Sequence, residues 1–295
     1  MQNQQSKGNL YVFSAAILWS FGGAFIKLIP WSPISLACIR GLIAAVVFIF
    51  YRKSIKVHLT KTTLLGGVAL FFTTFFFIIA NKYTTSANAI VLQYTAPVYV
   101  ILLGVFVRHI RPERIDLIAV TLTILGIVVF FIDSMNAGSM LGNIMGLLSG
   151  VSFATVLFIS SGKDAKPADI YYTGYLFNLL LIPFVIFDSS FSVTLSSALA
   201  VLFLGVVQLG LAYILFSRGI QKTTAVSASV ITAIEPILNP VWALIVIGER
   251  PSFISVMAGI FVVFVITAYN FIKVKLSAKQ RALSNKKTTH SNTRP

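Results

Sequence analysis

The feature that most constrains this chain is the placement of its charge. Short clusters of Lys, Arg, Asp and Glu separate long apolar runs, each close to the length of a bilayer crossing. A transmembrane helix needs roughly 20 apolar residues. Runs of that kind fall at 10–29, 33–51, 63–81, 86–107, 114–132, 140–160, 169–188, 196–217, 223–247 and 252–272. Of the 295 residues 57% are hydrophobic and only 11% charged, whereas a soluble domain carries about 25% charged residues. The pattern predicts an all-α polytopic membrane protein with ten transmembrane helices, its outer surface in contact with the lipid bilayer.

A net charge of +15 raises the question of nucleic acid, and the positions of the charges answer it. With both termini in the cytoplasm, Lys27, Lys82 and Arg250 are the only basic residues in outside loops, and Arg40 lies within a span. Every other Lys and Arg falls on the inner side, as the positive-inside rule requires. The basic excess is therefore a topology signal, and no nucleic-acid partner is expected. The polar stretch MQNQQSKGN, residues 1–9, leads into a first span longer than a signal-peptide core, so that span reads as retained. The basic segment 273–295 reads as an irregular, solvated cytoplasmic tail.

Enzyme chemistry finds no foothold. Cys38 is the sole cysteine, so no intrachain disulfide can form. His58 and His109 fall in predicted loops and His290 in the tail, without an HExxH pair, so no metal site is expected. No GxSxG elbow and no GxxxxGK[ST] phosphate loop occurs. No cofactor is expected either.

The chain also repeats itself. Shifted by 139 residues, YTTSANAIVLQYTAP (Tyr83 to Pro97) falls on KTTAVSASVITAIEP (Lys222 to Pro236), and without a gap Arg111-Pro112 meets Arg250-Pro251. A shift of 134 pairs Gly8-Asn9 with Gly142-Asn143, Trp19 with Phe153 and Pro33 with Pro167. Two units follow, 10–132 and 140–272, with five spans each. An odd number of spans sends the second unit into the membrane in the opposite sense. Inverted repeats of this kind are common in secondary transporters, whose substrate sites lie near the midplane between the halves.

Several stretches carry a family likeness: SAAILWSFGGAFIK (Ser14 to Lys27), SPISLACIRGLIAA (Ser32 to Ala45) with its arginine Arg40, and Leu204 to Ser252, which ends in the Gly248-Glu249 turn. Taken in order and spacing, they resemble the EamA-like branch of the drug/metabolite transporter superfamily, from Gly8 to about Ile272. One departure is His109-Ile110 in the first half where the second has Gly248-Glu249, which favours a structural turn role for Glu249. The resemblance implies a gradient-driven transporter for a small organic solute: an amino acid, another metabolite or a drug-like compound. It also implies a bacterial cell membrane, and export coupled to protons or to exchange. A channel-like pore is the alternative from a different class. The sequence sets neither substrate nor oligomeric state.

The stretch AIEPILNP (Ala233 to Pro240) holds the sharpest site candidate, because Glu235 is the only charge between Thr223 and Gly248. An ionised carboxylate at mid-membrane costs about 2.5–3.5 kcal/mol on insertion scales. On one continuous helix Thr224, Ser227, Glu235, Asn239 and Trp242 share about a 120° arc. Glu235 is expected to bind a cationic group of a small-molecule substrate or to carry a proton; a structural carboxylate paired with Arg40 or capped by hydroxyls is the alternative. Arg40 is a candidate for a substrate carboxylate. Pro97, Pro236 and Pro240 are expected helix kinks. Gln93 and Tyr94, in the counterpart of the Glu235 region, together with Gln208 and Trp19, complete the candidate site; Tyr213 and Asn178 are weighed beside them.

Overall fold

The structure, a computed structural model, describes residues 2–109, 111–135, 140–160, 162, 165–222 and 231–291. It is helical throughout, with no strand among the described residues. The first predicted span is α1 (Gln2–Ser20) followed by α2 (Gly22–Leu28). Next come α3 (Pro33–Arg52), α4 (Lys61–Tyr83), the pair α5 (Ser86–Gln93) and α6 (Ala96–Arg108), and α7 (Arg114–Met135). The second half runs through α8 (Met140–Ser160) and α9 (Pro167–Leu176), which tightens through the 3-10 turn Phe177–Leu181 into α10 (Ile182–Val185). Then follow α11 (Leu195–Leu202), the π-helical stretch Phe203–Leu211, α12 (Ala212–Ile220), α13 (Glu235–Ile247) and α14 (Phe253–Ser291). Among the described residues eight helical segments are long and apolar enough to cross a membrane, and Glu235–Ile247 is a shorter apolar helix.

Exposure is inverted relative to a soluble protein. Phe50, Phe106, Phe187 and Phe264 are largely exposed on the outside, while Arg40, Glu235, Asn143 and Asn239 are buried inside. Lipid tails solvate the first set, and the second must find partners or a solvated cavity within the protein. Those facts describe an integral membrane protein.

The repeat is legible in the capping and the packing. Thr60 and Thr63 form a reciprocal capping box at the start of α4, and Thr194 and Ser197, their counterparts at a shift of 134, form the same box at the start of α11. α6 ends on His109 and α13 on Gly248, partners at a shift of 139, both with positive φ. α4 packs most extensively on α8; their counterparts, α12 and α1, pack on each other. Likewise α6 on α8 matches α13 on α1 and α2, and α7 pairs with α14. Gly142 approaches the backbone of Tyr83 and Thr84 so closely that a Cβ would lie 2.6 Å from the Thr84 nitrogen, and Gly8 approaches Lys222 in the same way at 2.8 Å. Beside the first contact the Thr84 hydroxyl donates to Asn143 Oδ1 at 2.8 Å. Small residues that let helices touch, with a hydrogen bond alongside, hold membrane helices together where no hydrophobic drive exists.

Two expectations need correction. The seventh span ends at Val185, so Asp188 stands in the loop beyond it, accepting from the Ser32 and Ser35 hydroxyls at 2.6 and 2.5 Å. Burial works to raise the Asp188 carboxyl, but hydrogen bonds from Ser190, Ser32 and Ser35 outweigh it and hold the group below the ordinary carboxylate range. The tail does not leave the last span as an irregular segment: α14 runs on to Ser291, because Lys, Ala, Leu, Gln and Arg propagate a helix that is already nucleated.

Candidate functional site

Two of the predicted prolines sit just past equivalent helix breaks. The fourth span breaks at Tyr94 and Thr95, and Pro97 opens α6; the ninth breaks at Ala233 and Ile234, and Pro236 opens α13. The two breaks are 139 residues apart, which is the repeat. Pro240 lies inside α13 without ending it. Proline has no N–H, so Pro236 leaves the carbonyl of Thr232, four residues back, without its helical donor. The Tyr94 hydroxyl takes that donor's place at 2.9 Å from the Thr232 oxygen. The same hydroxyl lies 2.7 Å from Glu235 Oε2 and donates there too. Tyr94 thus joins the two broken helices, one from each repeat, where both are interrupted.

Around this joint is an internal cavity of about 30 Å³, lined by Trp19, Arg40, Thr73, Thr74, Phe77, Gln93, Phe153, Gln208, Leu209, Tyr213 and Glu235. Its volume is about that of one water. Arg40 is 1% exposed and Glu235 6%, and no ion pair joins them. Arg40 Nη1, Trp19 Nε1 and Gln208 Oε1 are buried without a hydrogen-bond partner. Gln93 is tied down, its amide donating to Ser149 Oγ at 2.6 Å, which donates in turn to the Thr73 carbonyl. Gln208 sits in the π-helical stretch and donates to the Trp19 carbonyl at 3.4 Å. Wide turns of this type occur mostly as short insertions at functional sites. A lone buried guanidinium, several orphaned polar atoms and a carboxylate in one small space are expensive for the fold. They make sense as the lining of a site for a polar solute.

Most of the predicted site residues meet here, and some do not. Glu235, Arg40, Gln93, Gln208 and Trp19 line the cavity, and Tyr94 bonds to Glu235. Asn239 instead lies against Gly23 and Ser86, and Trp242 stacks on Phe21 with centroids 4.6 Å apart while its indole donates to Ser20 Oγ. Glu235, Asn239 and Trp242 all lie in α13, past the break, and the cavity reaches only its first turn, so Asn239 and Trp242, one and two turns further on, pack on α2 and the end of α1 instead. Ser227 and Thr224 lie outside the described residues. Arg40 does not pair with Glu235, so hydroxyl capping by Tyr94 is the contact formed. Asn178 bonds to the Tyr175 carbonyl of its own helix, off the cavity.

Thr73, Thr74, Phe77, Phe153 and Leu209 were not foreseen. The repeat held the signal for two of them. Phe153 is the counterpart of Trp19, and Thr74 that of Tyr213, so each pair lines the cavity from opposite halves.

A multi-span bundle with polar groups converging on an internal cavity between two repeats defines a membrane transporter. The chain belongs to the EamA-like transporter family, whose model matches residues 6–132 and again 140–271. It is 26% identical over 315 aligned residues to an uncharacterised transporter of Clostridium kluyveri, covering 97% of this chain and 99% of that one. An uncharacterised transporter of Archaeoglobus fulgidus is 25% identical, with 86% and 94% covered. A solved crystal structure shares the fold, with a TM-score of 0.61 at 19% identity over 92% of this chain and 99% of that one.

Proposed function

We propose that this chain is a secondary active transporter that moves a small organic metabolite by alternating access, exporting it across a bacterial cell membrane with both termini in the cytoplasm. The two units 10–132 and 140–272 would rearrange about the Tyr94 joint. One observation carries the reading: Arg40 and Glu235, of opposite charge and unpaired with each other, line the same internal cavity. A solute with a carboxylate and an amine would satisfy both, the fork of Arg40 taking the carboxylate and Glu235 the ammonium. A cavity of about 30 Å³ is far below the roughly 300–1,000 Å³ of a ligand pocket. Binding must therefore open the site, which supports alternating access over a standing pore. Glu235 also fits proton coupling, because a carboxyl that gives up its proton when the amine arrives links the two fluxes.

The test is thermal unfolding in detergent against amino acids, polyamines, sugars and nucleosides, followed by flux in proteoliposomes. A true ligand at about 100 times its Kd adds roughly 2.7 kcal/mol of apparent stability. Glu235→Gln is expected to fold and to lose either the ligand shift or the pH dependence of flux. Wild-type flux at every pH in that variant would remove Glu235 from the mechanism.

A further inference from the structure

The departure at Gly248-Glu249 has a consequence on the face of the bundle away from the chain termini. Lys27, on the last turn of α2, donates to Glu249 Oε1 at 2.5 Å and to the Thr84 carbonyl at 2.8 Å. The Ser86 amide, first in α5, donates to both Glu249 oxygens at 3.3 and 3.1 Å. A carboxylate at a helix N-terminus meets unsatisfied N–H groups and the positive end of the helix dipole. Just beneath, a Cβ on Gly23 would lie 2.5 Å from Asn239 Oδ1 and 2.8 Å from Ser86 Cβ, so α2, α5 and α13 meet with no space between them. Lys82 donates to the Ile29 carbonyl and ties the end of α4 to the end of α2. Lys27 and Ser86 belong to the first repeat and Glu249 to the second, and the side chains of the ion pair are only 20% and 14% exposed. By the repeat shifts the residues that match Lys27 and Glu249 in sequence are Ser161 and Ile110, neither of which carries a charge.

We propose that Lys27, Glu249 and the Ser86 amide form a latch that closes the cavity on the face away from the termini, and that opening on this face breaks it. The inverted repeat makes the two faces alike in architecture, but different side chains tie each of them, so each can be released separately. The terminal face is tied by other side chains: Arg52 Nη2 lies 2.7 Å from Asp169 Oδ1 across the repeats, Lys273 pairs with Asp116, and Trp19, Tyr171, Tyr213 and Phe216 pack as an aromatic cluster. The proposal rests on the alternating-access reading above.

The experiment labels a cavity cysteine, Thr74→Cys in a Cys38→Ser background, with a membrane-impermeant thiol reagent applied to whole cells and to inverted vesicles. With the latch intact, labelling from the face away from the termini is slow. Glu249→Gln and Lys27→Met are each expected to speed it on the order of tenfold, the factor given by about 1.4 kcal/mol. Lys27→Arg, which keeps the ion pair, should label like the parent. Rates from that face unchanged in both latch variants, with melting temperature preserved, would overturn the latch while labelling from the terminal face still supported alternating access. A rise confined to the terminal face would also overturn it. Labelling from neither face in any variant would overturn the alternating-access reading and the latch together.

Discussion

At the scale of single residues, Arg40 is the least comfortable side chain in the molecule. It is buried in the core with Nη1 unpartnered, and replacing buried charge with a neutral group is often neutral or stabilising. Arg40→Gln is therefore expected to leave the melting temperature of the unliganded protein unchanged or higher. If Arg40 takes a substrate carboxylate, the same change should weaken binding by about 1.5–3 kcal/mol, the range for a hydrogen bond to a charged group. Arg40→Lys should restore little of it, because an ammonium lacks the planar fork. Titration calorimetry beside a thermal scan separates the effects; a large loss of stability in Arg40→Gln would make the residue structural.

At the scale of elements, the crossing of α8 over the junction of α4 and α5 depends on the absence of a side chain at Gly142. The atoms a Cβ would meet are backbone, at 2.6 and 2.7 Å, so they cannot turn aside. Gly142→Ala must push α8 away and strain the Thr84–Asn143 hydrogen bond. The expected loss is about 1–3 kcal/mol, the usual range for overpacking, read as a lower melting temperature in detergent. Gly8→Ala should behave alike on the opposite face, where the obstacle is the backbone of Lys222. A substitution tolerated at both positions would mean that the repeat-related crossings are looser than drawn here.

At the scale of the whole molecule, the paired contacts matter more than any one of them. α4 on α8 and α12 on α1 are versions of one packing, and under the alternating-access proposal the two halves exchange these arrangements to give a second closed shape. Two such states around one internal site give saturable flux, and substrate preloaded inside a vesicle should accelerate uptake of labelled substrate. A pore gives neither. Linear flux without counterflow in proteoliposomes would favour the channel alternative.

The sequence by itself determined the membrane, the spans and the repeat. Each is written in local periodicity and composition, and the bilayer admits few other solutions for ten apolar runs. The Glu235 region was visible for a similar reason, since a lone charge in an apolar run is conspicuous. What only the tertiary structure decided was which polar residues share a space. Asn239 and Trp242 lay on the right arc with Glu235, but the cavity ends at the first turn of α13, and further along the same helix that arc packs against α2. Thr73 and Thr74 were hidden in the aromatic run FFTTFFF, and Tyr94 was only one candidate until it bridged Thr232 and Glu235. Likewise Glu249 read as a turn residue until Lys27, 222 positions away, closed on it. A periodic pattern fixes which way a side chain faces within one unbroken element. Its partner across the bundle depends on breaks, crossings and close approaches, which arise from the packing of many helices at once.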